Sequence, residues 1–217
     1  MNDSNKPEKR TAAPSRRYHH GALREALLAS AERILERDGI QGLTLRAAAR
    51  EAGVSHAAPM NHFGDLTGLL SDLAAVGFDR FRAAMQAGLD ASSGPQARMD
   101  ATGRAYVRFA HAHPGLFQLM FRSERLDPQR PALAAAMRGA FMVLAGTVGE
   151  KREEVIGPTL TEAQAAQIMA AWSLVHGFAV LSLDGRFAPI LDRAPAGATA
   201  DSLLEAVLRG PDGEAPG

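Results

Sequence analysis

The first third of the chain carries apolar side chains at the three- and four-residue spacing of an amphipathic α-helix. This spacing runs through residues 22–38 and predicts a first helix with one buried face. Gly39 follows directly, and glycine is commonly found just beyond a helix end. The apolar positions are Leu23, Leu27, Ala31, Ile34 and Leu35.

Two shorter helices are predicted next. Thr44 can cap a helix that reaches Ala52, and Gly53 stands where a left-handed residue would end it. Ser55 is predicted to cap a third helix that runs to Phe63. A short helix, a glycine turn and a second short helix form the layout of a helix-turn-helix. Because such hairpins also occur as plain structural elements, the layout alone leaves DNA binding and a structural role open.

The remainder of the chain predicts further helices. Asp65 can cap the first of them, and Thr161 with Gln164 forms the pattern of a capping box ahead of a segment that is apolar on nearly every face. The predicted helices cover residues 65–89, 99–111, 116–121, 133–150, 161–184 and 201–209. We therefore expect an all-α fold: a disordered basic arm over 1–15, a three-helix helix-turn-helix domain over 16–65, a helical domain over 66–210 and a disordered tail over 211–217.

Composition agrees with this fold class and narrows the class of protein. Alanine is abundant in the 217 residues, whereas the β-favouring Val and Ile together number only 14. A hydrophobic fraction of 46% and a charged fraction of 22% are typical of a soluble globular protein. The absence of cysteine excludes a disulfide framework, a thiolate zinc site and a cysteine nucleophile. The sequence predicts no secretory signal and no transmembrane helix, so we expect a cytoplasmic protein.

Charge is balanced overall but uneven along the chain. Basic and acidic residues number 24 each, yet residues 1–24 hold six basic and two acidic side chains, a net charge of +4. A basic arm ahead of a helix-turn-helix suits contact with DNA phosphates. A solvated tail is the alternative for the stretch before Pro14, which makes Arg16 and Arg17 the better candidates.

Several stretches carry a family resemblance. The segment LTLRAAAREAGVSHAAPMNHFGDLTGLL, residues 43–70, resembles the DNA-binding domain of the TetR/AcrR family of bacterial transcriptional repressors. The tetrapeptide at 18–21, the His-Pro-Gly-Leu-Phe at 113–117 and the Trp-Ser-Leu-Val-His-Gly at 172–177 are similar to the branch of that family with a Trp-His-Gly signature. The resemblance implies a homodimer that binds a double-stranded DNA operator and responds to an unidentified small-molecule effector.

The resemblance also implies which side chains would meet DNA. Thr44 would offer its hydroxyl or N–H to a phosphate, although simple helix capping is an equally good role for it. Ala57 would contact a thymine methyl group in the major groove. The full predicted set is Arg16, Arg17, Thr44, Arg46, Ser55, His56, Ala57, Met60, Asn61 and His62.

Two positions depart from the family pattern. Met60 stands where the family usually has a phosphate-binding tyrosine, and Leu66 stands where it usually has a lysine. Each missing anchor removes one phosphate contact. The alternative function is therefore a dimeric ligand-binding or protein-interaction module on the same scaffold with weak DNA affinity.

The helical domain has two further candidate regions. Its aromatic and methionine side chains predict either an ordinary core or, with the family resemblance, an effector cavity lined by Phe109, Phe117, Met120, Phe121, Phe141 and His176. The segments 161–184 and 201–209 resemble the family's dimerisation helices, with an interface predicted at Ile168, Trp172, Val175, Ala179, Leu203 and Val207.

Catalytic and metal chemistry find little support in the sequence. The histidine pairs at 19–20 and at 111 and 113 have no third ligand at a suitable spacing, and no glycine-rich phosphate loop or serine elbow motif appears. We therefore expect neither an enzyme nor a bound metal or cofactor.

Overall fold

The computed structural model of the protein describes residues 16–209, apart from the side chains of residues 16–20 and 123. The predicted arm over 1–15 and the predicted tail over 211–217 lie outside the described residues. Residues 16–209 contain helices and no strand, so the predicted all-α fold is confirmed. The helices are α1 (Arg16–Gly42), α2 (Leu45–Glu51), α3 (Ala57–Phe63), α4 (Leu66–Asp90), α5 (Pro95–Ala112), α6 (Pro114–Met120), α7 (Pro131–Lys151), α8 (Glu162–Leu183), α9 (Ala188–Leu191) and α10 (Ala200–Arg209).

The first three helices form the predicted helix-turn-helix. Gly39, at φ 69°, interrupts α1 where the sequence predicts its end, and Gly53, at φ 68°, makes the turn after α2. The hydroxyl of Thr44 accepts a hydrogen bond from the N–H of Ala47 at 3.0 Å, which confirms the predicted cap.

The predicted cap of the third helix is wrong. The capping position of α3 is His56, whose backbone is already helical, and no described side chain caps this helix. Ser55 contributes its backbone carbonyl instead, which accepts from the N–H of Ala58 at 3.0 Å. Because the turn begins one residue later than predicted, the hydroxyl of Ser55 does not reach the helix start.

Helix α4 is the central element of the fold. The carboxylate of Asp65 caps it by accepting from the N–H of Gly68 at 2.7 Å, as predicted. Its apolar side chains, among them Leu69, Leu73, Phe81 and Met85, are buried against α1, α3, α5, α6 and α7. One continuous apolar core therefore extends from the helix-turn-helix into the C-terminal bundle.

Helices α7 and α8 are long and apolar enough to cross a membrane by length and composition, a feature that core helices of soluble proteins share. Helix α7 packs against α4 and α5 within the bundle. Helix α8 begins with the predicted capping box between Thr161 and Gln164. It buries only part of its apolar surface, because Met169, Leu174 and Leu181 remain exposed.

A buried ion cluster joins the two parts of the chain. The carboxylate of Asp72 on α4, 4% exposed, lies 2.7 Å from Nη2 of Arg24 on α1 and 2.6 Å from Nε of Arg130 at the start of α7. Burial raises the pKa of this carboxyl, but the hydrogen bonds and charges of Arg130 and Arg24 outweigh burial and hold the pKa below its ordinary value. Asp72 therefore stays ionised and ties three helices together.

A second contact between the two parts involves Glu36 at the other end of α1. Its carboxylate accepts from the backbone N–H groups of Gly115 and Leu116, at 2.9 Å and 3.0 Å. These donors belong to the first turn of α6, which has no intrahelical partner for them. Helix α1 is thus held to the bundle at two separate points.

We predict that Asp72→Asn lowers the free energy of unfolding by about 1–3 kcal/mol, because both arginines lose their charged partner while Asn keeps the shape of the side chain. Urea unfolding followed by circular dichroism measures this change. Asp79→Asn is the matched control, since this exposed aspartate on the same helix lies 3.7 Å from Arg82 and its loss should cost less than about 0.5 kcal/mol. Equal losses in the two variants would contradict a special role for Asp72.

Candidate functional site

The helix-turn-helix presents an exposed ridge along α3. Ala58, Pro59 and Phe63 face the core, whereas Ala57 and Asn61 face outward. The remaining predicted positions on this ridge are also accessible: Ser55 and His56 are exposed, and Met60 is 56% exposed. His62 is half-buried, with its ring centroid 6.1 Å from that of Phe63. The ridge is therefore a short mixed surface with polar groups at both ends.

Helix α2 adds two cations beside this ridge. Arg46 and Arg50 are one helical turn apart, both are exposed, and neither forms an ion pair with a described residue. Other arginines of the domain are engaged, for example Arg33, which lies 3.2 Å from Glu51. Sequence reasoning missed Arg50, although its four-residue spacing from Arg46 was a usable signal. Arg16 and Arg17 begin α1, but their side chains lie outside the described residues.

The C-terminal bundle contains an apolar cavity of about 450 Å³ that is partly open to solvent. Its volume lies within the range of small-molecule sites. The wall is built from α4, α5, α7 and α8 and from the segment around the end of α6. The lining residues are Phe78, Phe81, Met85, Tyr106, Met120, Phe121, Leu126, Pro128, Leu133, Met137, Arg138, Ala140, Phe141, Leu144 and Trp172.

A chain of three polar groups links α5 to α8 at this cavity, with Tyr106 and Trp172 in its wall. The indole Nε1 of Trp172 donates to the hydroxyl of Tyr106 at 3.1 Å, and that hydroxyl lies 2.8 Å from Nδ1 of His176. Burial raises the pKa of Tyr106 and lowers the pKa of His176. A protonated phenol beside a neutral imidazole fits one assignment, in which Tyr106 donates to Nδ1 and the ring proton sits on Nε2. Each of the three groups then has a partner.

The structure brings together only part of the predicted ligand set. Met120, Phe121 and Phe141 line the cavity. Phe117 and His176 instead line a shallower recess toward α8, and Phe109 lines a groove between α4 and α5. Sequence reasoning missed Tyr106 and Arg138. The pattern of apolar and polar residues along α5 and α7 does not distinguish these two positions from others on the same helix.

The residues predicted for a dimer interface separate into two groups. Ile168, Val175 and Ala179 are buried inside the chain, so they hold α8 to its neighbours rather than facing outward. Leu203 is half-buried and Val207 is exposed, while Trp172, 39% exposed, belongs to the cavity wall. The exposed apolar side chains of this region are Met169, Leu174, Leu181, Ile190 and Val207.

No group of three or more His, Asp or Glu side chains among the described residues could hold a metal ion.

Comparison with known proteins places the chain in a family. Residues 99–207 match the family model of the tetracyclin repressor-like C-terminal domain, which is half of the chain. The protein therefore belongs to the TetR family of transcriptional regulators, and this family is not one of enzymes. No curated protein matched the sequence.

Solved structures agree with this assignment. A protein with unknown function from a Rhodococcus species is 38% identical, with a TM-score of 0.69, over 90% of this chain and 98% of that chain. The TetR family regulator PfmR from Thermus thermophilus is 19% identical with a TM-score of 0.60, over 86% and 98%. The TetR-like regulator LfrR from Mycobacterium smegmatis, solved in complex with proflavine, is 17% identical with a TM-score of 0.57, over 88% and 94%. The last two likenesses show the shared fold.

We predict that acidification destabilises the protein through His176. The pKa of this side chain is lowered in the folded chain. At pH values below the ordinary pKa of about 6.5, the unfolded chain therefore binds the proton more readily than the folded chain does. The free energy of unfolding consequently decreases as the pH is lowered. Protonation also removes the acceptor for Tyr106. His176→Asn keeps a polar acceptor without this titration. Urea unfolding at pH 7, 6 and 5 should show a smaller loss in the variant than in the unmodified protein, and equal losses would contradict the prediction.

Proposed function

We propose that the protein is a transcriptional repressor that binds a palindromic operator as a homodimer and is released by a small-molecule effector. The observation that carries this proposal is that one chain holds an exposed helix-turn-helix ridge and a 450 Å³ apolar cavity, with α4 packed against both. We place the protein in the cytoplasm, where its operator would be accessible.

The proposed DNA contacts are made by the exposed ridge along α3 and by the neighbouring helix α2. Helix α3 would enter the major groove, where Asn61 can reach a base edge and Ala57 a thymine methyl group. Arg46 and Arg50 would lie along the phosphate backbone. Because Leu66 packs partly buried against the core and Met60 has no polar group to donate, the binding energy depends more heavily on these arginines.

We place the proposed dimer interface on the uncovered face of α8. Met169, Leu174 and Leu181 expose apolar surface on this helix, and Val207 is an exposed apolar side chain on α10. Several large apolar side chains exposed on one helix favour an interface. A two-fold arrangement of α8 and α10 would form a four-helix bundle and set the two recognition helices about 34 Å apart, one turn of DNA.

The effector would release the operator because it binds one arrangement of the dimer more tightly than the other. An effector that favours one arrangement of the cavity wall would shift the population toward a dimer whose recognition helices no longer match the operator. The contacts of Asp72 and Glu36 with α7 and α6 would carry this change to α1. The complex of LfrR with proflavine supports a ligand-binding role for a bundle of this fold.

We predict that Arg46→Ala and Asn61→Ala each weaken binding to the cognate operator. Loss of a phosphate contact at Arg46 should lower the salt slope by about one unit, whereas loss of a base contact at Asn61 should cost about 1–3 kcal/mol and relax sequence preference. Fluorescence anisotropy measures both changes, with the intergenic DNA upstream of the gene and a scrambled duplex across a range of salt concentrations.

Arg122→Ala is the matched control for this experiment, because Arg122 is an exposed arginine distant in sequence from the helix-turn-helix. It should leave affinity and salt slope unchanged. Unchanged binding in the Arg46 and Asn61 variants would show that the reading face is wrong. Equal and weak binding of the unmodified protein to both duplexes would instead favour the dimeric ligand-binding module.

We predict that Leu174→Glu together with Leu181→Glu converts the dimer to a monomer, because charges placed on the apolar face of α8 would have to be buried without partners. Analytical ultracentrifugation measures the change in mass. Val155→Glu, at a position 91% exposed outside the helices, is the control and should remain dimeric. A dimeric double variant would place the interface elsewhere.

A further inference from the structure

We infer that the cavity takes an amphipathic organic monoanion, whose apolar chain or ring system fills the interior and whose carboxylate or similar group pairs with Arg138. This inference rests on the proposed role of the cavity as the effector site and names the chemical class of the effector. Two features of the wall support it: an interior whose hydrogen-bond donors are engaged, and one cation that has no ion-pair partner among the described residues.

The hydrogen-bond donors of the cavity interior are already engaged. Aromatic rings and aliphatic or thioether side chains form nearly all of the wall, and the hydroxyl of Tyr106 is already used by Trp172 and His176. A carboxylate or other acceptor group of the ligand placed there would lose its water and find no free hydrogen-bond donor among the described side chains of the interior, which costs free energy. The buried part of the ligand must therefore be apolar.

Arg138 is the exception in this wall. It is the only charged side chain that lines the cavity among the described residues, and it forms no hydrogen bond or ion pair with any of them. Its guanidinium can pair with a carboxylate through two parallel hydrogen bonds. Because no acidic side chain among residues 16–209 lines the cavity, an organic cation would meet repulsion from Arg138 without a compensating charge.

The position of Arg138 sets the orientation of the ligand. Met137 and Phe141 on the same stretch of α7 and Trp172 on α8 line the cavity while remaining 36–40% exposed, so the cavity opens to solvent between these helices. Arg138 is itself exposed. The charged group of the ligand would thus stay near water at the opening, and the apolar part would reach toward Phe81 and Tyr106.

The chain supplies its own reporter for this binding. Trp172 is the single tryptophan of the protein and lies in the cavity wall, so its fluorescence responds to a bound ligand. Titration would use three probes with the same ten-carbon chain: decanoate, decanol and decylammonium, each below its micelle-forming concentration. We expect decanoate to bind at least about tenfold more tightly than decanol, and decylammonium to bind most weakly.

Variants of Arg138 test the charge directly. Arg138→Ala should reduce decanoate affinity by about tenfold and leave decanol affinity unchanged, and Arg138→Glu should reverse the preference toward decylammonium. Arg108→Ala, at an exposed arginine that does not line the cavity, should leave all three affinities unchanged. Ala140→Phe should fill the cavity and abolish binding of every probe, with circular dichroism confirming that the helices are retained.

Each outcome decides the inference. Equal affinity for decanoate and decanol, or a decanoate affinity that Arg138→Ala does not change, would overturn the anionic class while leaving the cavity as a binding site. No response of Trp172 to any probe would overturn the inference as a whole. The proposed function fails separately, through absence of a specific DNA complex in the anisotropy experiment, so the two failures are distinguishable.

Discussion

The buried carboxylate of Asp72 is the interaction on which the arrangement of the two parts of the chain depends. A charge at 4% exposure is tolerable only when its partners surround it, and here Arg24 and Arg130 supply both charge and hydrogen bonds. Those partners come from α1 and from the start of α7. Separating Asp72 from these arginines would leave a buried charge without a partner, which is unfavourable in free energy. The ion cluster therefore holds α1, α4 and α7 in one arrangement and restricts movement of the DNA-binding helices on the bundle.

This constraint gives the cavity a physical route to the helix-turn-helix. Helix α7 contributes Leu133, Met137, Arg138 and Phe141 to the cavity wall, while Arg130 lies just before its first residue. A ligand that shifts α7 would act on the same ion cluster that holds α1. The proposed effector response thus needs no long series of coupled residues, because one helix, α7, lines the cavity and also adjoins the ion cluster of Asp72.

Helix α8 leaves much of its apolar surface exposed. It is apolar on nearly every face, yet within one chain it buries chiefly Ile168, Val175, Phe178 and Ala179. The apolar side chains left exposed favour the proposed interface with a second copy of the protein, since their contact with water is unfavourable. The same helix supplies Trp172 to the cavity wall, so the proposed dimer face and effector site lie on one element.

Local patterns in the sequence were enough to predict the all-α fold and the starts of α2, α4 and α8, whereas α1 and α5 begin several residues earlier than predicted and α9 was not predicted. Thr44, Asp65 and Thr161 cap their helices through bonds to residues three positions ahead, and Gly53 adopts the backbone that its turn requires, so the information lies within a few residues. The tertiary structure alone decided that Asp72 joins Arg24 to Arg130 and that Tyr106 meets Trp172 and His176. It also decided that Arg138 lines the cavity without an ion-pair partner in the described part of the chain. It also decided that Ile168 turns inward. These relations join residues dozens of positions apart, and helical periodicity identifies which face of a helix is apolar but not which neighbour that face will meet.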